Sequence, residues 1–170
     1  IVSPQAEFDG QMQVGEEVAE ASISAIDPTF FRLDGRTPIA GRLFGPEDEH
    51  AAVVSASVAQ LFGLTNEEVL GRPLSLTLFV QQPVRDSEDE DASAIIGTQS
   101  VTAIYQIVGV TEGGASAGTV YVDRASLPEG AIGQYAFGKV KVRDEQSIEE
   151  ARTELINRGF IVSSLSDTVE

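Results

Sequence analysis

The chain has no cysteine, and His50 is its only histidine. Without thiols there are no disulfide bridges and no thiolate metal sites. A lone histidine in the acidic stretch Glu47-Asp48-Glu49-His50 argues against zinc, whose sites draw on several nitrogen or sulfur ligands. It also argues against nucleophilic catalysis, because no G-x-S-x-G elbow accompanies it. No run of ~20 apolar residues occurs, so no segment is expected to cross a bilayer as a helix. No basic segment followed by an apolar one opens the chain. It begins Ile1-Val2-Ser3-Pro4 without a methionine and is expected to continue upstream.

Basic residues are scarce as well. Eleven Lys and Arg face 27 Asp and Glu, a net charge of −16. That charge opposes nucleic acid phosphates and anionic lipid headgroups, so nucleic acid is not an expected partner. Solubility is the plainer role of so much acid. A hydrophobic fraction of 42% and a charged fraction of 22% are ordinary for a globular chain. A length of 170 residues fits one domain, or two small subdomains sharing a core.

Residues 1–18 are polar and broken by Pro4, Gly10 and Gly15, which predicts a frayed lead-in with a short strand at Gln11–Val14. Ala19, Ala21, Ile23 and Ala25 alternate with polar residues as in a half-buried strand that Asp27-Pro28 ends. A short helix is expected from Pro28 to Leu33, then a strand at Ala51–Val54. A helix capped by Ser55 or Ser57 follows, with Val58, Leu61 and Phe62 on its buried face. Thr65 and Glu68 have capping-box spacing. Leu74, Leu76, Leu78 and Val80 mark one strand and Val101–Val110 another, pairing as a hairpin around an unusually long loop, Gln81–Gln99. Thr119–Asp123 is a further strand. From Phe137 a strand, a helix with Ser147 and Glu150 as capping box, Gly159, and a strand at Phe160–Val162 spell a βαβ unit.

No pattern carries recognisable catalysis. Carboxylates are numerous, but acid–base work needs environments that split their pKa values, which abundance does not supply. The run Asp86–Asp91 lacks the glycine and spacing of a calcium loop. Glycines 109, 113, 114 and 118 have no phosphate-loop lysine among them. Gly35-Arg36, Gly41-Arg42 and Gly71-Arg72 are expected to be turn glycines followed by surface arginines that pair with nearby acids.

Several segments in order, Asp27-Pro28-Thr29-Phe30-Phe31, Gly41-Arg42-Leu43-Phe44, Val53-Val54-Ser55, Ala59-Gln60-Leu61-Phe62-Gly63, Gly71-Arg72-Pro73-Leu74 and Ile107-Val108-Gly109-Val110, resemble the extracytoplasmic core domain of MacB/FtsX-type ABC transporter permeases. The resemblance implies an α+β fold in which a porter-like βαβ subdomain, residues 1–39 and 126–170, carries an inserted β-rich, sabre-like subdomain, residues 40–125. Residues 1–18 are short for the helix that a complete porter half would hold. It implies a non-catalytic part of a permease outside the bacterial cytoplasmic membrane, anchored by flanking transmembrane helices. ATP is then used by a separate cytoplasmic domain or subunit, and no cofactor is expected here. Expected partners are the permease's own helices, the ATPase, a second permease copy and an extracytoplasmic adaptor, carrier or substrate protein. The alternative is an FtsX-like module recruiting a cell-wall hydrolase. By position between two strands, Gln82, Pro83, Val84, Arg85, Asp86, Glu88, Asp89, Glu90 and Asp91 are the expected contact residues.

Overall fold

The computed structural model describes residues 1–84, 95–113, 118–133 and 135–163. They form two compact units, Ser3–Lys139 and the termini Ile1–Val2 with Val140–Glu170. The fold class is α+β with strands predominating.

In the larger unit β1 (Val2–Val14), β2 (Glu17–Ile26), β7 (Thr119–Asp123), β4 (Ala51–Ser55), β6 (Ile95–Thr111) and β5 (Pro73–Val84) follow one another around a ring, and β5 returns to β1. The β2–β7 and β4–β6 contacts are parallel and the other four antiparallel. Closure leaves few free edges, which are the usual liability of a sheet. A short strand β3 (Pro38–Gly41) lies on the last residues of β6, and β8 (Phe137–Val140) is next to β1 in strand order.

The N-terminal segment corrects its sequence reading: it is a strand of 13 residues, not a frayed lead-in. Ala6, Gly10, Met12 and Val14 turn inward while Glu7, Asp9, Gln11 and Gln13 face out. The inward period was hidden because two of its members are nearly without side chains. Gly10 is needed for close approach, since a Cβ there would lie 2.3 Å from the Thr77 carbonyl oxygen. Gly15, with φ 64°, makes the tight turn that pairs Val14 with Glu17.

Inside the ring Met12, Ile23, Leu74, Leu76, Tyr105 and Ile107 are buried together. The Tyr105 hydroxyl pairs with Ser126 at 2.9 Å, so this large ring brings no unsatisfied polar atom into the core. β4 is buried on both faces. Ala52 and Val54 belong to the first core, whereas Ala51 and Val53 pack in a second one with Phe30, Phe31, Phe44 and Tyr121. Phe30 and Phe31 come from α1 (Thr29–Asp34), which Gly35 ends in the left-handed conformation. Phe31 meets Phe44 edge-on at 5.0 Å.

Helix α2 (Ala56–Leu61) forms where expected, with one correction. Val58 and Phe62 are buried, but Leu61 is 54% exposed and Ala59 is buried in its stead. The helix has only six residues, and the direction set by Val58, Ala59 and Phe62 leaves Leu61 well to one side. Ser55 does not cap it by side chain. Its Oγ instead accepts the Thr119 backbone N–H at 3.0 Å, tying β4 to β7. The Thr65/Glu68 box does form, with Glu68 Oε2 accepting from Thr65 N–H at 2.9 Å and Thr65 Oγ1 accepting from Glu68 N–H at 3.2 Å.

In the smaller unit Ile1 and Lys141 exchange backbone bonds of 3.1 and 2.9 Å. Helix α3 (Gln146–Asn157) is present and Gly159 follows it with φ 90°. Its cap differs from expectation. Asp144, not Ser147, supplies the acceptor, taking the Ser147 N–H at 2.8 Å and its hydroxyl at 2.7 Å. The expected strand at Phe160–Val162 does not form, so the βαβ reading of this region fails. A short apolar run makes a strand only where an edge receives it, and Phe160 and Ile161 lie exposed.

Candidate functional site

β5 and β6 stay in register without a break from Pro73↔Gln106 to Val84↔Ile95. The ring uses only part of that ladder. β1 accompanies β5 over Ser75–Leu78, and β4 joins β6 from Gln106 onward. From Phe79↔Ser100 outward the two strands have, among the described residues, only each other as pairing partners, while Val80 still packs in the core of the ring. At ~3.4 Å per residue, Phe79–Val84 carries this arm ~20 Å past its last contact with β1.

The arm corrects the extent of the loop expected at Gln81–Gln99, because both flanks are strand. Gln82, Pro83 and Val84 pair with Gly97, Ile96 and Ile95. Arg85, Asp86, Glu88, Asp89, Glu90 and Asp91 lie outside the described residues. The flanks were misread because Gln81-Gln82-Pro83 breaks the alternation of Leu74–Val80 and a proline argues against a central strand. A strand with one partner tolerates it, so the register set nearer the ring continues outward.

One feature of the site was legible in the sequence and missed. Neither β5 nor β6 contains a single Asp, Glu, Lys or Arg, although 22% of the chain is charged. Leu78 and Val80 turn to the buried face, while Thr77, Phe79 (40% exposed), Thr102 and Ile104 (66% exposed) are on the other. The hydroxyls of Thr77 and Thr102 meet across the ladder at 3.1 Å.

Where β4 joins β6, an open cleft of about 480 Å³ is lined by Arg42, Asp48, Glu49, His50, Ile104 and Tyr105, among others. Two of its charges, Arg42 and Asp48, engage each other. Two guanidinium nitrogens of Arg42 donate to Asp48 at 2.7 Å each, and the Gly45 N–H adds a bond of 2.8 Å. The Arg42 hydrogen bonds, then the Gly45 N–H, hold the Asp48 carboxyl down at about 2. His50 is exposed, its ring 5.6 Å from that of Tyr105. No nucleophile stands beside a base here. Among the described residues no group of three or more His, Asp or Glu is placed to hold a metal.

The Gly-Arg pairs are structural. Gly35, Gly41 and Gly71 have φ of 65°, 66° and 76°. Arg36 pairs with Asp34 at 2.7 Å and lies over the Tyr121 ring, Arg42 holds Asp48, and Arg72 donates to the Glu68 carbonyl at 2.9 Å. A second hollow of about 370 Å³ is floored by Phe31, Leu43 and Phe44 with Arg32 and Arg36 on its wall.

Residues 1–158 match the family described as MacB-like periplasmic core domain. A curated relative, the macrolide export ATP-binding/permease protein MacB 2 of Aeromonas hydrophila subsp. hydrophila, is 27% identical over 154 residues, 89% of this chain and 21% of its own length. The chain thus spans about a fifth of that relative. The periplasmic region of MacB from Actinobacillus actinomycetemcomitans superposes with a TM-score of 0.60 at 17% identity, over 92% of this chain and 65% of the other. The extracellular domain of YknZ, a noncanonic ABC-type transporter from Gram-positive bacteria, gives 0.61 at 18%, over 94% and 76%. At such identities the superpositions speak to fold alone. Among the described residues no helix is long and apolar enough to cross a membrane. With the family match covering all but the last residues, the chain belongs to the MacB-like periplasmic core domains: it is an extracytoplasmic domain of a MacB-type ABC transporter permease, a transporter component rather than an enzyme.

Proposed function

We propose that this domain stands outside the cytoplasmic membrane between transmembrane helices of a longer permease. There it relays ATP-driven movement of the membrane part to export or signalling. The observation that carries the reading is the arm rooted in a closed ring. Strands continuous from a packed core into a projecting ladder transmit displacement as one body. ATP is used by a separate cytoplasmic domain or subunit, and this domain needs no cofactor. The permease works as a dimer with its ATPase, and an extracytoplasmic adaptor, carrier or substrate protein engages the arm at Gln82, Pro83 and Val84 and the tip beyond, including Asp86 and Glu88–Asp91.

Removing Asp86–Asp91 from the full permease tests this. Transport and partner capture should be lost while the melting temperature of the domain hardly moves, within the ~0.5 kcal/mol usual for changes away from packed features. Retained transport, or a large fall in melting temperature, sinks the reading of the tip as a contact element. Selective loss of binding to a cell-wall hydrolase favours the FtsX-like role instead. The anchoring is refuted if the complete reading frame holds no apolar span of ~20 residues on either side.

A further inference from the structure

The free edge of β6 has a defined polarity. The Gln106 N–H donates toward β4, to His50 at 2.8 Å, whereas the Ile107 N–H donates toward β5, to Arg72 at 3.1 Å. Successive residues of a strand direct their amides to opposite sides. Going back along β6, the backbone groups of Ile104, Thr102, Ser100 and Thr98 therefore face the side that β4 occupies only from Gln106 on. Those of Val101 and Ala103 serve the ladder to β5. Four residues thus offer donors and acceptors for which no strand is present among the described residues.

Protected edges carry lysine, proline, a bulge or a cover. Among the described residues this one has none of them between Gly97 and Tyr105. The unoccupied lane is collinear with β4 and ends at the 480 Å³ cleft, beside the exposed Ile104. We infer that the β6 edge from Thr98 to Ile104 receives an extended segment of a partner protein as an added strand, uncharged along its middle and flanked by lysine or arginine.

Charge decides the occupant. A second copy of this chain would bring another −16 to a surface that already carries −16, so self-pairing is opposed. The described strands of the arm carry no charged side chain, so a charged residue in the middle of the added strand would find no ion-pair partner on them. At the base of the lane the exposed Glu49 has no ion pair among the described residues, which suits a basic flank. Main-chain hydrogen bonds would give the affinity, and the hydroxyl and apolar side chains of Thr98, Ser100, Thr102 and Ile104 the register.

The inference deepens the proposed role of the arm and rests on it, so the test separates the two. The probe is a synthetic peptide of alternating valine and threonine flanked by lysines, added to the full permease. Backbone amide exchange should slow at Thr98, Ser100 and Thr102 and stay as it was at Val101 and Ala103. Ser100→Pro removes only an outward N–H, a change edge strands accept. It should weaken binding about tenfold, the worth of one lost hydrogen bond, with the melting temperature unchanged. The same peptide N-methylated on alternate residues should not bind, a result that needs no protein variant. Unchanged exchange at the three positions, equal binding of the N-methylated or a glutamate-flanked peptide, or full binding by Ser100→Pro overturns the inference. If deleting the tip abolishes transport while Ser100→Pro changes nothing, the arm keeps its role and the edge loses this one.

Discussion

The same two strands lead different lives on either side of Leu78. Toward the ring, β5 and β6 are wall: Leu74, Leu76, Tyr105 and Ile107 are buried, β1 completes one edge and β4 the other. Away from it they have, among the described residues, no third strand on either edge, although the hydrogen-bonded register continues unchanged and Val80 still reaches the core. A two-stranded ribbon by itself is marginal in water. Hydrogen bonds across the ladder hold it in shape, and burial below holds it in place. Local opening is thus expected to begin at the outer arm and to stop at Val80, among the described residues the last of β5 buried in the core.

The sharpest way to break that comparison is to truncate one residue on each side of the boundary. Leu76→Ala leaves a cavity inside the ring and should cost ~3 kcal/mol. Gln81→Ala on the arm should stay within ~0.5 kcal/mol. Urea midpoints of the two variants measure both, and similar losses would mean that the arm is packed against something after all.

Closure of the ring supplies the next test. At Gly10 a Cβ would stand 2.3 Å from the Thr77 carbonyl oxygen and 2.7 Å from Ile23 Cδ1. Because backbone on β5 must give way, Gly10→Ala should cost about 1–3 kcal/mol. Gly113→Ala, with nothing within 4 Å of the added methyl, is the matched control, expected within ~0.5 kcal/mol. A neutral Gly10→Ala in thermal melts would show that β1 and β5 do not close the ring.

How far the sequence disclosed this contrast depends on what each residue signals. Val54, Val58, Val120 and Val122 lie in periodic apolar segments, and β7 appears at its expected bounds, Thr119–Asp123. Closure could not be read, because β1 turns inward with Ala6 and Gly10, whose small side chains erase the period that betrays a strand. The arm was half legible. Leu74–Val80 announced it, but its outer reach is set by pairing with Gly97–Gln99, a long-range fact that composition does not carry. Phe160-Ile161-Val162 erred in the opposite direction, having strand composition without an edge to join. The absence of charge along both strands was open to inspection in the sequence.

At the cleft beside the arm, Asp48 sharpens the comparison by pH. Its carboxyl sits at about 2 in the folded protein against 3.8 ordinarily, so its contribution is complete above pH 4 and is lost as the pH falls toward 2. Unscreened, that lowering corresponds to ~2.5 kcal/mol. Arg42 is 57% exposed, and solvent screening reduces the figure to about 1 kcal/mol. Asp48→Asn should therefore lower stability by about 1 kcal/mol at pH 7 and by nothing near pH 2, whereas charge-free arm variants such as Gln81→Ala should show no such convergence. A pH-independent difference would assign the Asn effect to altered packing.

The smallest effect is expected in α3. None of its residues is buried, so the helix depends on its own termini, and Asp144 caps the first of them. The Ser147 hydroxyl and then the Ser147 N–H hold the Asp144 carboxyl below its ordinary range, so the cap is complete at neutral pH and is lost as the pH falls through that lowered value. Protonating it should fray the helix at Gln146–Ile148 without moving the melting of the ring, because α3 belongs to a separate compact unit and none of its 12 residues is fully buried. Amide exchange followed on stepwise acidification reads this directly. Ser147 should lose protection first, while Met12 and Ile107 keep theirs. Simultaneous loss at all three would mean that the helix melts with the ring as a single unit.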